Sequence, residues 1–241
     1  MAPPTIRLII VYISLPIVVV FFLYLAYKIL KRSKQRISKI FSALYISTAF
    51  GNIINMFYAP LEVLYFELLI IVLHVLTLFF IFFGIIFILV SNLIILSSTT
   101  AFTATKQNLI IIFYGILLGC MALFIPLNGI SVNREFISEG YPIWTWFFFL
   151  YVVCVVTGIG VIPILYTSFK IYRNFTNEML KKKWLYYIIG VIGLLILLYG
   201  IMIANLLNIY IIRVINTVYS LSVILWVLLM YYGIGRQLKS E

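Results

Sequence analysis

Apolar residues fall into seven blocks along the chain, about 6–29, 39–58, 64–96, 108–126, 143–168, 185–206 and 209–233, separated by short polar or basic gaps. A helix needs about 20 mostly apolar residues to cross a bilayer, and each block meets or approaches that length. The pattern predicts an all-α, polytopic membrane protein: one transmembrane domain over 1–241, built as a bundle of seven helices. The third run, 62 to 98, is too long for one perpendicular helix and too short for two spans with a turn. It reads as one long helix, tilted or projecting beyond the bilayer. Six or eight spans are the competing counts.

Polar residues inside the blocks recur at helical spacing. In the last block Arg213, Asn216, Thr217 and Ser220 share one face, by the i, i+3, i+4, i+7 rule, and the other face is Ile, Val and Leu. The second block carries a matching stripe, Tyr45, Thr48, Asn52 and Asn55, and the third places Glu67 and His74 on one face. A charge facing lipid costs several kcal/mol, so these stripes are expected to face the bundle interior. Glu67 and Arg213 lie at matching depth near one membrane boundary with opposite charge, which predicts an ion pair. Asn52, Asn55, Glu67, His74, Arg213 and Asn216 are therefore the candidate ligand-binding residues. Two readings stand side by side: a pocket in the outer half of the bundle, or a polar core that fixes helix register. His74 reads as a hydrogen-bonded interior residue rather than a metal ligand, and a pH-sensing role would rest on it alone.

Composition agrees with the pattern. The chain is 65% hydrophobic and 10% charged, with a mean hydropathy of +1.21. No soluble core of this size could bury that apolar fraction. Cys120 and Cys154 fall inside apolar blocks and read as packing residues, with no metal spacing.

Charge then sets orientation. The net charge of +11 comes without a single Asp. Nucleic acid is not the expected partner, because the basic residues sit in the gaps between spans. The gaps at 28–39 and 170–184 hold most of them, and of the 17 Lys and Arg only Arg7, Arg134 and Arg213 fall on the other side. The positive-inside rule gives N-terminus outside and C-terminus inside. The first span precedes its basic cluster, the reverse of a cleaved signal peptide. Trp144, Trp146 and Trp184 are expected in interfacial belts. The bilayer is the first partner. The loops at 28–39 and 170–184 are the expected contact surfaces for a cytoplasmic partner or for other subunits.

Three local signals concern packing. Gly115 and Gly119 make a small-xxx-small pair suited to close helix approach. "TGIGVIP", 157 to 163, predicts a kink, since Pro removes a backbone donor and clashes with the turn before it. The outer loop "PLNGISVNREFISEGYP", 126 to 142, is too small to fold alone.

The chemistry that is missing narrows the field. The last block has no Lys and the chain no Asp, so a retinal Schiff base with an aspartate counter-ion is excluded. One His and no Asp cannot make a Ser-His-Asp triad. No HExxH or GxSxG occurs, so no enzyme, cofactor or metal is expected.

"SALYISTAFGNIINMFYAPLE", followed by the long third block, resembles the second and third helices of the seven-helix sensor regions at the N-terminus of some microbial histidine kinases. The resemblance covers about the first hundred residues. It implies an outward or membrane-borne ligand pocket coupled to an inner face. Those proteins continue into a cytoplasmic output domain, whereas this sequence stops at "GIGRQLKSE", so a sensor reading calls for a separate partner. A second group, the small PQ-loop and sugar-efflux transporters, is similar in length, span count and orientation. "YKILKRSKQRISK" and "FKIYRNFTNEMLKKK" take corresponding places in such a repeat, although no Pro-Gln pair occurs. The expectation is a receptor-like sensor for a small or lipidic ligand in the cell membrane. A small-solute transporter and a structural subunit of a membrane complex are the alternatives.

Overall fold

The computed structural model describes residues 10–58, 66–97, 101–132 and 142–235. Arg7, Arg134, Arg236 and Lys239, and the ends of the first and third apolar blocks at 6–9 and 64–65, lie outside the described residues.

The elements are α1 (Leu15–Arg32, after a π-helical turn at Ile10–Ser14), α2 (Arg36–Tyr58), α3 (Glu67–Leu96) and α4 (Ala104–Gly119, ending in a 3-10 turn at Cys120–Phe124). Next come β1 (Ile130–Val132) and β2 (Pro142–Trp144), then α5 (Trp146–Val155), α6 (Ile162–Asn174), α7 (Glu178–Leu207), α8 (Tyr210–Ser220) and α9 (Val223–Met230). Among the described residues, 6 helices are long and apolar enough to cross a membrane, or up to 7 if the bent pair α8 and α9 counts as one span. The chain is a multi-pass helical membrane protein.

Two features refine the sequence pattern and two depart from it. The run around 62–98 is a single unbroken helix of 30 residues over Glu67–Leu96, about 45 Å long at 1.5 Å per residue. The last span is broken: α8 and α9 meet at 41°. Ser220 and Ser222 turn their hydroxyls back to the carbonyls of Thr217 and Tyr219, both at 2.6 Å, and such back-bonding bends helices. The segment around 126–142 is not all irregular, since β1 and β2 pair antiparallel with Ile130 opposite Trp144. It enters the strand through Asn128, at φ 52, followed by Gly129. The kink expected at 157–163 is a π-helical turn, Val156–Val161, immediately before α6 and Pro163.

The bundle is centred on α3. Gly51 on α2 lies so close to α3 that a Cβ there would stand 2.9 Å from the Thr77 carbonyl. Ser47 donates to the Phe80 carbonyl at 2.7 Å across the same seam. The Gly115 and Gly119 pair does not act as one packing face: Gly115 meets the Phe83 ring of α3, while nothing lies near Gly119. The small-residue stripe that matters is on α7. A Cβ at Gly190 would come within 2.5 Å of the Trp226 carbonyl, and one at Gly193 would collide with the Trp226 ring. α9 packs there because those side chains are missing.

Two of the three tryptophans expected in interfacial belts are interior. Trp144 is 2% exposed and Trp184 3%, whereas Trp146 is 63% exposed. Tyrosines occupy the basic end instead. Lys28 lies 5.6 Å from the Tyr24 ring centre, Lys31 5.8 Å from Tyr27 and Lys170 6.0 Å from Tyr166. All three rings are more than half exposed, so the lysine stems run along aromatic surface towards their solvated heads.

Candidate functional site

A cavity of about 260 Å³ opens among α1, α2, α3, α7 and α8 near the hairpin. That is just below the roughly 300–1,000 Å³ of most small-molecule sites. Five of the six predicted residues line it: Asn52 and Asn55 from α2, His74 from α3, and Arg213 and Asn216 from α8. Helical spacing accounts for this, because Thr48, Asn52 and Asn55, and Arg213, Asn216, Thr217 and Ser220, are the stripes that face it.

Glu67 is the exception. It is the first residue of α3, is exposed and does not line the cavity. No ion pair joins Glu67 to Arg213 among the described residues. Depth along a helix does not fix rotation about its axis. A carboxylate at the first turn of a helix suits the positive end of the helix dipole.

Arg213 is instead positioned by its own corner. Its Nη2 donates to Asn208 Oδ1 at 2.9 Å and to the Pro142 carbonyl of β2 at 3.3 Å. Asn208 ends α7 in the left-handed region at φ 50, a conformation asparagine tolerates. The corner thus fixes both the helix end and the guanidinium. Of the described residues lining the cavity, Arg213 is the one that carries a formal charge.

His74 is 4% exposed, and its Nε2 accepts the indole N–H of Trp144 at 3.0 Å. That places no proton on Nε2, so a neutral ring carries its proton on Nδ1. The bond ties the hairpin to α3 at the cavity wall, and Trp144 is the partner the sequence did not reveal.

The asparagines behave differently. Asn52, Asn55, Asn205 and Asn216 line the cavity, and none of the four side chains has a hydrogen-bond partner among the described residues. Asn52 is 8% exposed and Asn205 9%, so bulk solvent does not solvate them freely. The hydroxyl of Thr77, on the same wall, is also buried without a partner among the described residues. Asn205 and Thr77 are additions to the predicted set, and Asn205 could have been found one helical turn before the αL corner. Gly200 lets α8 approach: a Cβ there would collide with Asn216 Oδ1.

α8 itself is two-faced. No residue of it is fully buried, its polar side lines the cavity, and Ile211, Ile215 and Val218 on the other side are 58%, 61% and 62% exposed.

A second polar cluster lies towards the basic end. Asn92 of α3, fully buried, donates through Nδ2 towards Ser168 Oγ at 2.8 Å and Thr167 Oγ1 at 3.1 Å, and accepts from Tyr187 at 2.8 Å. Trp184 donates to the Ser168 carbonyl at 2.8 Å. Here the hydrogen bonds close on themselves, and the cluster joins α3, α6 and α7.

No family model, curated protein or solved structure matches this chain. Its function must be argued from these residues.

Proposed function

We propose that the chain is a receptor-like sensor of the cell membrane, with its N-terminus outside and its C-terminus inside. It binds a small or lipidic ligand in the cavity beside the hairpin, in the outer half of a seven-span bundle. It signals through a separate partner that meets the basic loops at 28–39 and 170–184.

The observation that supports this is the set of amides. Asn52, Asn55, Asn205 and Asn216 converge from three helices without hydrogen-bond partners among the described residues. Amides that serve only to hold helices together use up their own hydrogen bonds, as Asn92 does in the same bundle. Withdrawing amides from bulk water without partners is costly, and a bound molecule can supply them. The orientation rests on the basic gaps, by the positive-inside rule.

The test is cysteine accessibility in intact cells, with Cys120 and Cys154 replaced and single cysteines placed at Asn52, His74 or Asn216. A membrane-impermeant reagent is expected to label from outside only. Absence of labelling from either side would mean a closed polar core and would sink the reading.

Labelling from both sides would favour the transporter reading, which has support of its own. Two spans are interrupted, one by the π-helical turn at Val156–Val161 and one by the 41° break after α8. Discontinuous helices of this kind line the substrate sites of many transporters.

A further inference from the structure

Beyond the polar cavity lies a second chamber of about 80 Å³. It continues along the same helices towards the basic end. On α2 the lining passes from Asn52 and Thr48 to Leu44, and on α3 from His74 to Ile88. The two chambers share a wall made of Phe22, Thr48, Ile81, Leu197, Ile201 and Val223. Their chemistry differs sharply. The first holds the amides, Thr77 and Arg213. Among the described residues the second is lined by Leu, Ile, Val and Phe, with polar groups only at Thr48 and Tyr45.

We infer that the ligand is a single-chain amphiphilic carboxylic acid, its head among the amides and Arg213 and its tail in the apolar chamber. This rests on the ligand-cavity reading above and names the class of molecule. A small polar solute would leave the apolar chamber unused. A plain hydrocarbon would leave without partners the buried amides of Asn52 and Asn205, the half-buried amides of Asn55 and Asn216, and the buried Thr77 hydroxyl. A carboxylate offers two acceptor oxygens to amide N–H groups and to a guanidinium. An unbranched tail is the shape that follows a cavity running along a helix bundle.

The experiment uses the full chain in lipid nanodiscs, with empty nanodiscs subtracted. Probes are the straight-chain acids from butyrate to decanoate, with 1-decanol and acetate as comparators. Binding is read as protection of Asn216→Cys, in the background lacking Cys120 and Cys154, from a small thiol reagent. Affinity is expected to rise about fourfold per methylene until the tail chamber is full. Decanol and acetate should each protect at least about tenfold more weakly than decanoate. Leu198→Trp, which fills only the second chamber, should flatten the chain-length series and spare butyrate. Asn52→Leu should weaken the whole series evenly. Thermal unfolding checks that both variants fold, and the series with Asn216→Cys alone decides if either does not.

Equal protection by decanol and decanoate would overturn the acid head. Equal protection by acetate would overturn the tail. Ready labelling that no acid protects would overturn the inference while leaving the ligand cavity intact. An Asn216→Cys that never labels from either side would remove both.

Discussion

Replacing Asn92 with Leu is the sharpest test of how the bundle is held. The side chain is fully buried on α3 and faces Ile164, Thr167 and Ser168 of α6 and Tyr187 of α7. An amide nitrogen has two hydrogens, so at most two of its three contacts act as full bonds at once; with the acceptor from Tyr187 that makes three. Interhelical hydrogen bonds in membranes contribute about 0.6 kcal/mol each on average and up to about 1.7. Leu nearly conserves volume, so the cavity contribution is small. The expected loss is about 2 kcal/mol. Thr167 keeps its bond to the Pro163 carbonyl at 2.7 Å, so the groups left stranded are the Ser168 and Tyr187 hydroxyls. Reversible unfolding in mixed micelles, followed by tryptophan fluorescence, measures the loss. Tyr187→Phe alone should lose about 0.6 kcal/mol, and the double variant should lose no more than Asn92→Leu. A fully additive double variant, or an Asn92→Leu chain as stable as the parent, would refute the assigned network.

Three further outcomes follow from the same contacts. Arg36 donates to Gln107 Oε1 and to the carbonyls of Phe102 at 2.7 Å and Thr103 at 2.9 Å, so Arg36→Ala should lower stability by about 2 kcal/mol. Arg36→Lys should recover less than half of that in the same unfolding assay, because lysine lacks the fork. Gly193→Val should abolish the monodisperse peak in fluorescence-detected size exclusion, since its Cβ has no room beside Trp226, and Trp226→Ala should restore the peak. Trp144→Phe removes the donor to His74 and should cost about 1–3 kcal/mol in thermal unfolding; an unchanged melting curve would show that the bond carries no weight.

Much of the bundle was legible because bilayer solvent imposes simple patterns. Long apolar blocks gave the spans, and the 3.6-residue period placed Asn52, Asn55, His74, Arg213 and Asn216 on one cavity. The failures share a cause. Period and depth locate a residue along a helix and around it, but they say nothing of which neighbour it meets. Glu67 was paired with Arg213 by depth, yet it stands exposed at a helix start. Trp144 reads as a belt residue until the hairpin turns its ring towards His74. Asn92 stands beside Ser91 in a long apolar run with no polar residue one helical turn away to mark a stripe, although its amide needs partners there more than anywhere. The break between α8 and α9 did leave a trace, the two serines of "YSLS", which bond back to their own helix. The GxxxG pair stands on α4 and the glycines that seat a neighbouring helix stand on α7, because a motif carries no information about what lies opposite.

The corner at Asn208 also bears on the order of assembly. Asn208 and Arg213 are separated by 5 residues, whereas Arg213 and Pro142 are separated by 71. Closing the short loop costs little chain entropy, so the guanidinium is oriented by its own helical hairpin as soon as α7 and α8 meet. The longer link must wait for the earlier spans to gather. A synthesising cell therefore makes the charged wall of the cavity after the helices that face it, yet aims it before the longer link closes. The remaining helices arrive at an arginine that already points the right way.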